Sequence, residues 1–138
     1  MTNSRNKGAS FEREVANLLT KDLNLTNNIR RILEQTREKH LPDLILGRWY
    51  LECKRYGSGA EPLEAWWQQV LAATKNKGIP ALVYKFDRRP IKVRVPLGAI
   101  NPELHLDSPF TADLLWDDFI FLLKELYKKD IAEHDDID

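Results

Sequence analysis

Asp43, Glu52 and Lys54 bring two carboxylates and an ammonium together within a short stretch of chain. Glu52 and Lys54 stand two apart in the β-rich run Arg48-Trp-Tyr-Leu-Glu-Cys-Lys-Arg55. Alternation along a strand sends both side chains to one face and Leu51 and Cys53 to the other. If Asp43 begins the adjoining strand, its carboxylate can lie beside Glu52. Two crowded carboxylates repel each other, and a divalent cation relieves that repulsion while collecting oxygen ligands. Mg2+ (or Mn2+) with its retained waters suits such an all-oxygen set. A bound metal can acidify an attacking water and neutralise charge growing on a phosphate. Lys54, on the same face, could orient that water or offset the extra charge of a pentavalent transition state. Taken alone, a Glu-x-Lys in a strand is ordinarily a salt bridge on a solvated face.

Positioning these residues requires a sheet with helices against it. Phe11, Val15, Leu18 and Leu19 give one apolar stripe to a helix from about Ser10, a plausible N-cap, to Asp22. Asn24–Asn28 breaks it, and Ile29–Leu33 reads as a short strand carrying Arg30 and Arg31. Asp43–Gly47 and Arg48–Arg55 read as a hairpin hinged near Gly47. After a loop at Gly57-Ser-Gly59, a helix is expected from Pro62 to Asn76, stopped by Lys77-Gly78. Pro80–Phe86 and Ile91–Val95 are further strands. A last helix, Thr111 to Lys129, carries apolar residues at 115, 119, 122 and 126 and again at 116, 120, 123 and 127. That face is wider than one small domain needs and suggests a dimer. The acidic tail from Asp130 reads as frayed. The order α-β-β-β-α-β-β-α implies an α/β (α+β) fold, a central mixed sheet flanked by helices.

A chain of 138 residues fits one domain, residues 1–138, with 98–138 as a helical extension and acidic tail. Its apolar and charged fractions, 43% and 30%, are those of a soluble globular protein. No secretory run follows the N-terminus, and the apolar cluster Phe119–Leu123 is too short to span a bilayer. The lone Cys53 excludes an internal disulfide and fits a reducing, cytoplasmic compartment; on the face opposite Glu52 it reads as core. Histidines at 40, 105 and 134 make no zinc spacing. The net charge of zero hides an asymmetry: residues 1–94 hold 18 Lys/Arg against 10 Asp/Glu, and residues 95–138 hold 3 against 11. Phosphate binding depends on such a local basic field.

Pro42-Asp43, eight intervening residues and Glu52-Cys53-Lys54 resemble the signature of the PD-(D/E)xK nuclease superfamily. Lys7-Gly-Ala-Ser-Phe-Glu-Arg-Glu-Val15 resembles the opening helix of archaeal-type Holliday-junction resolvases. Trp66-Trp-Gln-Gln-Val70 with Ile79-Pro-Ala-Leu-Val-Tyr84 is similar to small phage resolvase-like proteins. The resemblance runs from Lys7 to Leu97 and implies a restriction-endonuclease-like fold and metal-dependent cutting of DNA, with a four-way junction as substrate. A junction's near two-fold symmetry calls for two matching cuts, which a homodimer supplies, and the expected setting is a bacterial or phage-infected cell. Flaps, nicked or duplex DNA are alternative substrates, and a non-catalytic DNA binder of nuclease fold is a further reading.

Carried over by position, the helical acid is Glu12, with Glu14 as competitor, and joins Asp43 and Glu52 as a metal ligand. Gln69, or Gln68, fits a glutamine placed near the metal or the attacking water. Trp66 and Trp67, adjacent on a helix, are expected to split between core and rim. Arg30, Arg31, Arg55, Lys75, Lys77, Arg88, Arg89 and Arg94 are the candidates for DNA phosphate contacts.

Overall fold

The computed structural model describes residues 4–32, 41–75 and 77–136. Its elements are α1 (Ser4–Asp22), β1 (Leu44–Leu46), β2 (Trp49–Tyr56), α2 (Glu64–Thr74), β3 (Ile79–Phe86), β4 (Lys92–Pro96), β5 (Thr111–Leu115), α3 (Trp116–Leu126) and α4 (Lys128–Asp135), with a 3-10 turn at Leu97–Ala99. The strands form one mixed sheet in the order β1-β2-β3-β4-β5. Among the described residues only β2 and β3 pair in parallel, with α2 as the crossover that a parallel pair requires. The fold is α+β, as expected, but its element order differs from the expected one.

The differences are local. The Ile29–Leu33 strand reduces to one antiparallel bridge, Arg31 to Leu44; Leu33 lies outside the described residues, as do His40 and Asn76. The first five residues of the expected last helix form β5 instead, because their backbone completes the sheet edge along β4. The remainder breaks at Tyr127, whose φ of −125° and ψ of 37° are not helical. There the ring packs edge-on against Trp49 and its hydroxyl donates to the Ala99 carbonyl at 2.7 Å. Helix α1 also begins six residues before Ser10; the apolar stripe starts only at Phe11, so periodicity could not mark the earlier turns.

Register separates the two faces of the sheet. Leu44, Leu46, Trp49, Leu51, Cys53, Ala81, Val83, Val93 and Val95 face one way, into a core completed by Phe11, Val15 and Leu19 of α1 and Phe119 and Leu123 of α3. Cys53 is buried there, and burial holds its thiol well above the usual range. Glu52, Leu82, Tyr84 and Phe86 lie on the other face, under α2, whose Trp66, Trp67 and Val70 close a second apolar cluster. Both tryptophans are buried, contrary to the expected split. Two rings set about 100° apart on a helix can both reach a sheet when the helix lies flat on it.

The acidic C-terminal segment is not frayed over its described part. Asp130, 1% exposed, accepts from the Arg48 backbone N–H at 2.8 Å and from its Nε and Nη2 at 3.0 Å each. Asp135 accepts from the backbone N–H groups of Thr26 and Asn27, both at 3.0 Å. These bonds tie α4 to the β1–β2 turn and to the segment after α1. Gly47 makes the approach possible: its φ is +54°, and a Cβ there would meet the Asp130 Cβ at 2.7 Å. Among the described residues, no helix is long and apolar enough to cross a membrane.

Candidate active site

Asp43 directly precedes β1. Continuing the pairing of Leu44 with Leu51 by one step sets Asp43 opposite Glu52. Two bonds fix it there: its backbone N–H donates to the Leu51 carbonyl at 3.0 Å, and the Cys53 N–H donates to its Oδ2 at 2.8 Å. Glu52 is 4% exposed beneath α2. Gln69 reaches down from α2 and donates through Nε2 to Glu52 Oε1 at 2.9 Å, whereas Gln68 turns outward to Glu64 at 3.0 Å. The other oxygen, Glu52 Oε2, is buried and no donor among the described residues reaches it.

Glu12 of α1 completes the group of acids. Its carboxyl touches that of Asp43, while Glu14, further round the helix, lies 3.9 Å from Arg55. Burial, then the Glu52 charge, then contact with Glu12 push the Asp43 carboxyl up to about 9, against the lowering effect of the Cys53 N–H. Burial likewise raises Glu52 to about 7, with the Lys54 ammonium pulling the other way. Crowded carboxyls shielded from most water resist ionising together, which holds both Asp43 and Glu52 above the usual carboxylate range.

These residues fit a hard divalent cation. The donors are carboxylate oxygens, one of them orphaned in the interior, and the repulsion that raises the Asp43 carboxyl is what a cation would relieve. Asp43 and Glu52 would hold the ion, with Glu12 as the third acid. The described residues do not, however, present a ready cage of three or more His, Cys, Asp or Glu side chains. Glu12, moreover, has its Oε2 engaged by Arg31, at 3.0 Å from Nε and 2.9 Å from Nη2. Any third ligand there must share Glu12 with a guanidinium.

The basic residues are not brought to one place. Arg31 is committed to Glu12, Arg55 pairs with Asp87 at 3.2 Å, and Arg94 pairs with Asp113 at 2.7 Å. The last contact belongs to a network in which the Tyr84 hydroxyl also donates to Asp113, at 2.8 Å. Lys75 and Lys77 lie exposed before β3, while Arg88 and Arg89 lie exposed after it. The eight-residue strand separates these pairs by about 23 Å. Arg30 is exposed on the segment before the Arg31 bridge and lines a groove of about 930 Å³ with Thr26, Asn28, Ile45 and His134. That groove includes neither Asp43 nor Glu52.

Two features lay outside the sequence reading. Arg31 and Glu12 meet across 19 positions, for which no local pattern exists. Tyr56, by contrast, was findable, since alternation puts it on the face of Glu52 and Lys54.

An acid just before one strand, an acid and a lysine two residues apart on the next, and an acid from the first helix match the arrangement expected from the PD-(D/E)xK resemblance. A family model described as "Phage putative PDDEXK endonuclease" matches residues 3–121, and the chain belongs to that family. Membership implies an endonuclease acting on DNA and, as the superfamily does in general, a divalent metal ion. Comparison with curated proteins and with solved structures gives no match.

Proposed function

We propose that this chain is a metal-dependent endonuclease for branched DNA, with the four-way junction as its substrate, and that residues 1–138 act as a single nuclease domain. The observation that carries the site is the Asp43–Glu52 pair, with Glu52 buried, its Oε2 reached by no N–H donor among the described residues, and Lys54 on the same strand face. In this reading Asp43 and Glu52 hold Mg2+ or Mn2+, and Glu12 closes the site when Arg31 releases or shares it. The ion supplies an acidified water and charge neutralisation on the phosphate. Lys54 would offset charge at the transition state, and Gln69, bonded to Oε1, would leave Oε2 of Glu52 free for a cation. Arg30, Lys75, Lys77, Arg88 and Arg89 contact phosphates along the DNA, and Arg31 and Arg55 do so by exchanging their present partners.

A four-way junction has near two-fold symmetry, and two matching cuts resolve it. A homodimer supplies two sites by construction. The dimer is supported by Phe121 and Leu126, which lie 65% and 51% exposed on α3. The bacterial or phage-infected cytoplasm is the expected setting.

The test is cleavage of a labelled four-way junction beside a linear duplex of the same sequence, with Mg2+ and with chelator. Paired, metal-dependent cuts confined to the junction support the full reading. Cutting of both substrates keeps the nuclease and discards the junction, and flaps and nicks are then compared. If neither is cut while binding persists in chelator, the chain is a non-catalytic DNA binder.

A further inference from the structure

Beyond the acids, the strand that carries them ends in an aromatic stack open to solvent. Tyr56 is the last residue of β2, on the face of Glu52 and Lys54 and about 13 Å from Glu52 by strand rise. Its ring stacks on Trp66 of α2, with centroids 4.9 Å apart and planes inclined by 21°. Trp66 in turn stacks on Phe86 of β3, at 5.9 Å and 29°. The backbone of Gly59 closes on Phe86 so tightly that a Cβ there would meet the ring at 2.7 Å. The inner rings are fixed and buried, yet Tyr56 remains 49% exposed. One of its faces is covered by Trp66, so the exposure falls on the opposite face and the edge.

The turn beside that ring carries two exposed cations, and its acid, Asp87, is paired with Arg55. The Tyr56 carbonyl accepts from the Asp87 N–H at 3.1 Å, which fastens the β3–β4 turn beside it. Arg88 and Arg89 project from this turn, both exposed. Lys92 stands opposite Tyr84 on the same sheet face. A rigid aromatic surface among arginines, a few nucleotides' length from the paired acids, has the chemistry that holds a single-stranded base: a π-face for the base and cations for its backbone. A paired base within a duplex keeps both faces stacked and cannot use such a surface.

We infer that Tyr56 is a stacking platform for an unpaired nucleobase, and that it selects DNA opened near the cut over fully paired duplex. This rests on the nuclease reading above and names the substrate feature that reading leaves open. The platform is pre-built by Trp66 and Phe86, so little side-chain order is lost when a base arrives.

The experiment measures binding of the full chain in chelator, where nothing is cut. The probes are a forked duplex with 2-aminopurine at the first unpaired position and the same sequence fully paired. The wild type is expected to prefer the fork and to quench the 2-aminopurine. Tyr56→Leu, which still covers Trp66, lowers fork affinity about 10-fold and abolishes the quench, with duplex affinity within about twofold of wild type. Tyr56→Phe keeps affinity and quench. Absence of a quench in the wild type, or equal loss on fork and duplex in Tyr56→Leu, overturns the inference. Cleavage with Mg2+ is scored separately. A wild type that binds and quenches but never cuts defeats the nuclease reading alone, and one that cuts without a fork-specific effect of Tyr56→Leu defeats the platform alone.

Discussion

Replacing Asp43 by asparagine is expected to stabilise the metal-free protein at alkaline pH while removing its response to metal. Asp43 is held up at about 9, against 3.8 for the free side chain, chiefly by burial and by Glu52. The folded state therefore binds a proton that the unfolded chain has released over most of that interval. Stability from this group is fully present below pH 4 and is lost as pH rises toward 9. Between pH 5 and pH 8 the loss has a ceiling of about 4 kcal/mol, from roughly 1.4 kcal/mol per pH unit. Coupling to Glu52 and partial hydration bring it to about 2 kcal/mol.

In Asp43→Asn the side-chain amide reproduces the neutral carboxyl. Its oxygen still accepts the Cys53 N–H, and its NH2 group donates toward the other acids. Thermal unfolding in chelator at pH 5, 6, 7 and 8 reads the difference directly. The wild-type Tm is expected to fall by about 4–8 °C relative to Asp43→Asn across that range. With Mg2+ at pH 8 the wild type recovers, releasing about one proton, and the variant does not. A wild-type Tm that stays level with the variant from pH 5 to 8, or a variant less stable than wild type at pH 8 without metal, would refute the assignment of a strained acidic pair.

Glu52→Gln removes the orphaned carboxylate oxygen as an ion ligand and should lower the rate of DNA cutting at least about 100-fold, with junction binding in chelator retained; full activity would exclude Glu52 from the chemistry. Arg31→Ala frees Glu12 against Asp43 and should cost about 1–3 kcal/mol in chelator, read by urea unfolding at pH 7, with much of the loss restored by Mn2+. Asp130→Ala removes three hydrogen bonds from Arg48, one of them from its backbone N–H, and should cost about 1–3 kcal/mol, while cutting per folded molecule is unchanged. Sedimentation of Phe121→Ser beside wild type tests the dimer: if α3 forms the contact, only the variant runs as a monomer.

How much was legible in the sequence is best seen residue by residue. Period-two alternation in Trp49–Tyr56 is a local property of the backbone, so the shared face of Glu52 and Lys54 and the burial of Cys53 could be read directly. The hairpin at Gly47 then brought Asp43 into register, and the helical stripe at Phe11, Val15 and Leu19 implied a helix lying on the sheet. The choice between Glu12 and Glu14, and between Gln69 and Gln68, had only a leaning in the sequence. In the fold, Glu12 touches Asp43 and Gln69 touches Glu52, whereas Glu14 and Gln68 face Arg55 and Glu64.

What local pattern could not contain was settled by contacts between distant segments. Thr111–Leu115 has residues that suit a helix start, yet it is a strand because β4 offers an open edge to pair with. The helix after it ends at Tyr127 because Trp49, Ala99 and Arg48 hold that ring and the following Asp130 in place. The same applies to Arg31 on Glu12 and to the stack of Tyr56, Trp66 and Phe86. Spacing along the chain determines which side chains share a face, because dihedral periodicity is local. Which charges cancel, which rings stack and which carboxyl keeps its proton depend on who else is buried there, and that was decided only when the sheet closed.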